Sequence, residues 1–385
     1  MSPAGVEAGS CLPESPKQFV ADGLLEVLGR VVDPRGRQGR RYSAASLLLA
    51  ALAATLAGAK SFVAIGEWVQ DAPAGVLGRL GLRRGAPSEK AIRKLVQRLD
   101  ADALDAAIGA WVWLRVSAVG GTRVLSFDGK SLRGARDAAG ALVHLLSGVC
   151  QATGAVIAQV AVPGKTNEVP VLRKLLEILD IAGRVITADA LHTCRETAQL
   201  IVDRGAHYVL CVKSNQPKLR AMVKSLPWKQ IPVLDRVKGK PAHGRVETRV
   251  FKATAVEAVL GGIDFPGAKQ VLRIERTRLT RKTGKKTTEI VYAVTSLAPE
   301  DADHHAIAEM LRKHWHIEVK VHWIRDVVYS EDLSQTRTAA GPQVMAALRN
   351  LSLSLLRLNG HTSIAKTLRH NHRDYERPLE LLLNC

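Results

Sequence analysis

The stretch Thr122–Gly134, TRVLSFDGKSLRG, begins with an apolar run that predicts a β-strand over Thr122–Phe127. This run ends at Asp128. A second apolar run, Arg184–Ala188, ends in the same way at Asp189, within VITADALHT. Short apolar runs rich in β-branched residues are typical of buried strands. A carboxylate after a strand is more often a turn or cap residue than a ligand, so we expect a ligand role only if the two strands are neighbours.

The elements between the two aspartates and beyond them give a strand order. They are, in chain order, the strands Leu142–Val149 and Ala155–Val162, the helices Glu168–Leu179 and Cys194–Asp203, and the strand His207–Val212. With the two aspartate strands the order is β-β-β-α-β-α-β, an antiparallel meander followed by parallel crossovers. That is the strand order of a ribonuclease H-like domain, and it makes the two aspartate strands neighbours at the sheet centre. In open α/β sheets, sites form at the carboxyl ends of such strands.

The predicted fold class is therefore α/β. A ribonuclease H-like core, with a mixed five-stranded sheet and helices, is interrupted by a β-rich insertion and preceded by an all-helical domain. The predicted divisions are a flexible tail (1–18), a helical N-terminal domain (19–118), the first part of the core (119–215), the β-rich insertion (216–298), the second part of the core with the glutamate helix (299–360) and a basic C-terminal tail (361–385).

The charge of the chain favours a polyanionic partner. Its 385 residues carry 55 Lys and Arg against 36 Asp and Glu, a net charge of +19. Basic side chains release condensed counterions when they meet nucleic acid. No membrane association is expected, since the most apolar stretch, Ala44–Ala59, is shorter than the ~20 residues of a spanning helix. The five scattered cysteines predict a reduced, cytoplasmic protein.

A third carboxylate, Glu318, lies in KHWHIEVKVHW, on a predicted helix that runs from His304 to about Val327. A glutamate on a helix is usually solvated, but His314, His322 and Arg325 share its helical face. A carboxylate among cationic groups fits a ligand flanked by phosphate contacts. Competing candidates for the third acid are Asp326, Glu331 and Asp332.

Two aspartates and a distant glutamate suit a pair of hard divalent cations. Metal-assisted phosphoryl transfer uses two ions about 4 Å apart, one for the nucleophile and one for the leaving oxygen. Mg²⁺ keeps several waters and takes few carboxylates, so three acids suffice if one of them bridges both ions. Zinc is not expected, because His314 and His316 fall on different helix faces and no cysteine is near them.

One helix of the N-terminal domain is a candidate DNA reader. It begins at Pro87-Ser-Glu-Lys90, a combination of helix-start signals. Arg93 and Lys94 lie on the side away from its apolar residues, a pattern that suits a DNA contact and equally a solvated surface. After the last core strand, Lys213–Pro217 presents several donors that could hold a DNA backbone or merely close a loop.

The motifs DGKSLRG, TNE, ITADALHT, YVLCVKSNQP, HGRVETR and HWHIE follow one another in this order. Together with the basic and helical amino-terminal stretch, they resemble the H-repeat-associated (ISAs-type) group of bacterial insertion-sequence transposases over residues 20–360. These are DDE transposases with a ribonuclease H-like core. The resemblance implies metal-dependent cleavage and strand transfer at transposon ends, with Asp128, Asp189 and Glu318 as the catalytic and metal-binding acids.

The resemblance also implies a cofactor and partners. Each active site would hold two Mg²⁺ ions, for which Mn²⁺ would substitute. The partners would be double-stranded terminal inverted repeats and target DNA, handled by a homodimer because two ends must be paired. The protein would be cytoplasmic, and nucleoid-associated when bound to DNA. The residues expected to contact DNA are Lys130, Arg133, His192, Lys213, Asn215, Arg245, His314, His322, Arg325, Arg93 and Lys94.

The chain departs from the family pattern close to the glutamate. Val319 stands where the family usually has Asn, and Arg325 where it usually has an apolar residue. Other DDE relatives with β-rich insertions carry a Tyr–Arg–Glu–Lys signature, whose Tyr, Arg and Lys places are here Leu311, His314 and Arg325. Arg325 could keep the phosphate contact, and the changes bear on end handling more than on metal binding.

Two other function classes stay open. A transposase-derived DNA-binding protein or repressor without catalysis would have the same composition, and intact inverted repeats beside the gene would argue against it. A different ribonuclease H-like nuclease, such as a junction resolvase, fits less well. Compact nucleases rarely need a β-rich insertion or a separate helical domain.

Overall fold

The structure is a computed structural model that describes residues 23–38, 40–118, 123–136, 139–164, 167–242, 244–259 and 261–383. The predicted tail, residues 1–18, and the first residue of the first predicted strand, Thr122, lie outside these ranges. Within them the chain forms a large mixed β-sheet covered by helices, which confirms the predicted α/β class.

Nine strands form one sheet in the described chain. They are β1 (Val124–Arg136), β2 (Leu142–Cys150), β3 (Val156–Val162), β4 (Val185–Ala188), β5 (His207–Val212), β6 (Asp235–Lys238), β7 (Arg245–Ala255), β8 (Gln270–Thr280) and β9 (Lys286–Thr295). Their spatial order is β3-β2-β1-β4-β5-β9-β8-β7-β6. β1 is antiparallel to β2 and parallel to β4, and β4 is parallel to β5. The two predicted aspartate strands, β1 and β4, are therefore neighbours.

The β-rich insertion continues the sheet. β5 pairs antiparallel with β9, from Val209↔Thr295 to Val212↔Tyr292. β8, β7 and β6 follow outward from β9. The sheet therefore extends beyond the five predicted core strands, because the four strands of the predicted insertion continue it past β5. The open edge of β5 offers unpaired backbone groups, and β9 satisfies them.

β1 is longer than predicted. Its pairing with β2 continues past Phe127, through Asp128↔Ser147, to Leu132↔Val143. Asp128 therefore lies within the strand, and the prediction that it follows the strand end is wrong. β4 does end at Ala188, which pairs with Phe127. Asp128 is thus level with the carboxyl end of β4, as Asp189 is.

Helices precede the sheet. They are α1 (Leu24–Gly29), α2 (Ala44–Leu56), α3 (Phe62–Asp71), α4 (Ala74–Arg79), α5 (Glu89–Arg98) and α6 (Ala101–Ser117). The N-terminal backbone groups of α2, α3, α5 and α6 are capped by the side chains of Ser43, Ser61, Ser88 and Asp100. α2 is buried along its whole length, which accounts for its apolar sequence. No helix in the described part of the chain has the length and apolarity of a membrane span.

The helical region packs directly on the outer strand β3. A Cβ at Gly109 of α6 would lie 2.8 Å from the carbonyl oxygen of Ile157 in β3. The close approach therefore depends on the glycine. One hydrophobic core runs from α1–α6 into the sheet, so the helical region and the sheet share their interior.

The second half of the chain adds further helices. They are α7 (Glu168–Ile178), α8 (Arg195–Asp203), α9 (Pro217–Ser225), α10 (His304–His314), α11 (Gly341–Leu358), α12 (Ile364–Asn371) and α13 (Glu376–Leu383). α11 is buried over most of its length and packs against α2, α6 and β3.

The segment predicted as a basic tail forms α12 and α13. Asn371 donates a hydrogen bond from Nδ2 to the carbonyl oxygen of Leu56, at 3.0 Å. Tyr375 packs on Trp68 with ring centroids 4.9 Å apart. The part of 361–385 that the structure describes is therefore integral to the N-terminal helical core.

The helix predicted from His304 to about Val327 is not uniform. α10 gives way to two π-helical segments, Glu318–His322 and Ile324–Val328. π-turns are rare and frequently occur at functional sites. Glu318 begins the first of these segments.

Candidate active site

Three side chains converge beside the centre of the sheet. Asp128 comes from β1, and Glu318 and His322 come from the first π-helical segment. One potential ligand atom of each lies within 4.8 Å of the other two. His322 Nδ1 is 3.5 Å from Asp128 Oδ2 and 3.9 Å from Glu318 Oε2. Two of the three predicted acids are therefore adjacent, with an imidazole between them.

Asp128 lies in an excess of negative charge. Its side chain is 18 % exposed. Burial raises the pKa of Asp128 to about 7, and the charges of Glu318, Glu168 and Asp189 add to the effect. A carboxylate in this environment is stabilised by a cation, which removes the repulsion among the acids.

Asp189, the third predicted acid, follows β4 and has partners of its own. Its Oδ1 accepts hydrogen bonds from the backbone N–H of Ala190 at 2.7 Å and from Lys213 Nζ at 3.2 Å. Burial alone would raise the pKa of Asp189, but these two donors hold it below its ordinary value. Asp189 is therefore ionised and held by Lys213, close enough to Asp128 to influence its pKa.

Glu168, the first residue of α7, was not predicted as a site residue from the sequence. The cap of α7 is Asn167, whose side chain accepts a hydrogen bond from the backbone N–H of Val169. The Glu168 carboxylate is held instead by His144 Nε2 at 2.8 Å and His192 Nε2 at 3.2 Å. Burial would raise the pKa of Glu168, but these hydrogen bonds lower it to about 2.

Gly129 makes room for the Glu168 carboxylate beside Asp128. The oxygen Glu168 Oε1 occupies the space next to the Gly129 Cα that a side chain would need. The glycine directly after Asp128 and the TNE motif were the sequence signals for this contact. Glu168 thereby links β2, which carries His144 and pairs with the strand of Asp128, to the turn after Asp189, which carries His192.

Lys130 does not face solvent, contrary to the prediction that it contacts DNA. Its side chain is 7 % exposed, and Nζ lies 2.6 Å from Asp326 Oδ1 and 3.5 Å from Asp332 Oδ1. Arg133, 80 % exposed, lies 3.5 Å from the same Asp332. Ion pairs to Lys130 therefore occupy Asp326 and Asp332, two of the competitors of Glu318.

The prediction that Arg325 contacts phosphate is also corrected. Arg325 is fully buried and donates from Nε to Glu331 Oε2 at 2.8 Å. Arg349 Nη1 lies 3.0 Å from the other oxygen of Glu331. A guanidinium enclosed in this way cannot reach a phosphate. His192 and His322 are buried as well, so the same correction applies to them.

His314 contacts β4, the strand that ends directly before Asp189. Its Nδ1 is 3.2 Å from Thr187 Oγ1, and Thr187 is 2.9 Å from Ser126 Oγ. Burial lowers the pKa of His314 to about 4, so the ring is neutral near pH 7. A neutral, hydrogen-bonded imidazole does not supply the phosphate-binding charge that was predicted for it. Burial and the charges of Arg325 and Lys130 lower the pKa of His322 to about 3.

The other predicted DNA contacts lie at the surface. Arg93 forms a 2.8 Å ion pair with Glu89 on α5. The exposed members are Lys94, Arg133, Lys213, Asn215 and Arg245. Their cationic or amide groups are accessible to a phosphate backbone.

Large apolar side chains are exposed on the helix that carries Glu318. Trp315 is 61 % exposed, Val319 61 %, Trp323 54 % and Val327 53 %. Exposed apolar side chains spaced four residues apart on one helix are a candidate contact surface, since monomers rarely expose large contiguous apolar patches.

Comparison with known families identifies the class of protein. A family model described as "Transposase DDE domain" matches residues 120–355, and one described as "DDE_Tnp_1-associated" matches residues 25–112. The first match covers more than half of the chain. The chain therefore belongs to the transposase DDE domain family, and its class is that of metal-dependent DNA transposases.

Individual relatives agree with this assignment. YncI of Escherichia coli O157:H7, which bears a transposase name, is 28 % identical over 346 residues, 87 % of this chain and 87 % of that protein. YhhI of Escherichia coli (strain K12), named an H repeat-associated transposase, is 30 % identical over 244 residues, 60 % of this chain and 64 % of that protein. The predicted resemblance to H-repeat-associated transposases is confirmed.

One solved structure is also similar in outline. A piggyBac transposase synaptic complex with hairpin DNA gives a TM-score of 0.46 at 12 % identity, covering 95 % of this chain and 80 % of that chain. This similarity is below the level that establishes a common fold.

Proposed function

We propose that the chain is an insertion-sequence transposase that cleaves and joins DNA at transposon ends with Asp128, Asp189 and Glu318. The observation that carries this proposal is the convergence of Asp128, Glu318 and His322 within 4.8 Å. It occurs level with the carboxyl end of β4, where Asp189 begins the next turn. Strands β3-β2-β1-β4-β5 with their helices would be the ribonuclease H-like core.

The donor set fits a divalent cation. Asp128 is a half-buried carboxylate whose pKa is raised first by burial and then by three further carboxylates nearby, so a cation at this position would offset the negative charge of the acids. Asp128, Asp189 and Glu318 would hold two Mg²⁺ ions, with Asp128 between the other two acids, and Mn²⁺ would substitute. When bound, such ions polarise phosphoryl oxygens and stabilise the charge that develops on the leaving oxygen.

The chain itself would position the DNA. Lys213, held 3.2 Å from Asp189, is 57 % exposed and would neutralise a phosphate next to the acids. Arg133 lies at the other side, on β1. Asn215, Arg245 and Lys94 would contact the backbone farther away. The net charge of +19 would draw DNA to all of these positions.

The partners would be terminal inverted repeats and target DNA. Two transposon ends must be cut and joined together, and one chain offers one set of the three acids. A homodimer on DNA would therefore supply two active sites. Action on DNA in bacteria would place the protein in the cytoplasm, at the nucleoid.

An end-cleavage assay tests the proposal. DNA fragments from the flanks of the gene are incubated with wild-type protein, Asp128→Ala and the control Asp180→Ala, whose carboxylate is exposed just after α7. We expect nicking in Mg²⁺ by the wild type and the control, and binding without nicking by Asp128→Ala. Nicking by Asp128→Ala would refute the assigned site. Tight end binding by a wild-type protein that never cleaves would favour a repressor.

A further inference from the structure

His322 occupies a site that a surface contact does not explain. The ring is 4 % exposed and lies between the two adjacent acids, Asp128 and Glu318. Its Nδ1 faces their oxygens. Its Nε2 is buried without a hydrogen-bond partner among the residues that the structure describes. Nδ1, which faces the two acids, is therefore the ring nitrogen that has polar neighbours.

The two distances are too long for hydrogen bonds and slightly longer than those between two ligands of one ion. A hydrogen bond from an imidazole N–H to a carboxylate is usually about 2.7–3.0 Å long. His322 Nδ1 is 3.5 Å from Asp128 Oδ2 and 3.9 Å from Glu318 Oε2, both longer than that. Two ligands bound at about 2.1 Å to one octahedral or tetrahedral ion lie roughly 3.0–3.4 Å apart. A small inward movement of these side chains would close around a cation.

The spacing of Glu318 and His322 along the helix lets both groups face the same point. Glu318 and His322 are an i,i+4 pair that begins and ends the segment Glu318–His322. Glu318 is 57 % exposed and His322 only 5 % in their side chains, so one ligand would come from each side of the ion.

We propose that His322 is a metal ligand, through Nδ1, and completes an oxygen–nitrogen site with Asp128 and Glu318. This inference rests on the proposed function. An imidazole ligand favours first-row transition ions, because Mg²⁺ binds nitrogen poorly and prefers oxygens. The site therefore prefers Mn²⁺ to Mg²⁺. Asp189, engaged by Lys213, is left for the second ion.

Pulsed electron paramagnetic resonance on Mn²⁺-loaded protein tests the ligand directly. A coordinated imidazole gives ¹⁴N modulation of the Mn²⁺ echo, which changes to the ¹⁵N pattern on isotope labelling. We expect this modulation in the wild type and in His316→Ala, a control on the same helix. We expect its loss in His322→Ala and His322→Gln, together with roughly tenfold or more weaker Mn²⁺ binding.

The ratio of Mn²⁺ to Mg²⁺ affinity provides a second readout. It should fall in His322→Gln and stay unchanged in His316→Ala. Wild-type protein that binds Mn²⁺ through Asp128 without nitrogen modulation would overturn the role of His322 and leave the proposed function standing. Failure of the wild type to bind Mn²⁺ in an Asp128-dependent way would overturn both. The wild-type spectrum decides even if the His322 variants fold poorly.

Discussion

The Glu168 carboxylate occupies the space that a side chain at Gly129 would need. A Cβ at Gly129 would lie 2.2 Å from Glu168 Oε1 and 2.6 Å from His144 Nε2. Neither contact is possible between real atoms, so residue 129 has no room for a side chain while Glu168 keeps its place. Gly129 follows Asp128 on β1, and the constraint therefore reaches the acid that the site depends on.

Replacing the glycine should damage the site. Gly129→Ala would displace the Glu168 carboxylate and shift Asp128, and we expect DNA cleavage to fall by about a hundredfold, the cost of a misplacement near 1 Å. Gly75→Ala is a control, since nothing lies within 4 Å of a Cβ there. Single-turnover cleavage rates check this. Wild-type rates in Gly129→Ala would show that Glu168 is not fixed as described.

The buried Glu331 should contribute strongly to the free energy of unfolding. Glu331→Gln would leave the guanidinium groups of Arg325 and Arg349 in the interior without a carboxylate. Breaking a buried pair in this way costs about 3–5 kcal/mol. Urea denaturation measures it, with the exposed pair partner Glu376→Gln as a control expected to change less than about 1 kcal/mol. Equal effects of the two changes would contradict the burial argument.

Asp128 makes the metal-free protein sensitive to pH. Its pKa is about 7 in the folded chain, against roughly 3.9 in an unfolded one. The folded state binds the proton more tightly between these values, so the free energy of unfolding falls as pH rises through them.

Asp128→Asn removes this titration. In chelator, its stability relative to the wild type should grow from pH 4 to pH 8 and reach a few kcal/mol, on the order of the pKa difference. Chemical denaturation across this range checks the trend. Added Mn²⁺ should narrow the gap, because it binds only the folded wild type. A stability difference that is constant with pH would mean that the pKa of Asp128 is not raised in the folded protein.

The exposed tryptophans should matter for DNA and not for folding. Trp323→Ala should change stability by less than about 0.5 kcal/mol, as surface substitutions do. It should weaken binding to DNA with unpaired ends by about 1–3 kcal/mol, the range for a lost base–aromatic stack. Fluorescence anisotropy measures the affinity. Leu333→Ala, 81 % exposed and without a ring, is the control and should bind like the wild type.

Local sequence patterns predicted where strands occur, but they did not predict which strands pair with each other. The predicted strand His207–Val212 agrees with β5 to the residue. Alternation and apolar runs depend on neighbours in the chain, so they can be read without the fold. That β9 pairs with β5 could not be read, because the pairing joins segments that no sequence pattern connects.

In the helix around Glu318, the helical periodicity of the sequence alone does not predict which side chains share a face. A regular repeat placed Arg325 on the face of Glu318, but the structure buries Arg325 against Glu331. Each π-turn adds a residue to the helical repeat and rotates the residues after it by roughly 100°. The acidic partners of the buried Lys130 likewise come from a distant segment. The sequence motifs were sufficient to propose the acids of the site. They did not predict which contacts the cationic residues Lys130 and Arg325 make.

The packing of α12 and α13 on the N-terminal helices has a consequence for biosynthesis. Asn371 reaches Leu56 across 315 positions of the chain. Ribosomes make the amino-terminal residues first, so α2 waits for its last partners until nearly all of residues 23–383 have been made. The helical region cannot complete its interior before α12 and α13 have been synthesised, and DNA binding that depends on it would begin only after that point.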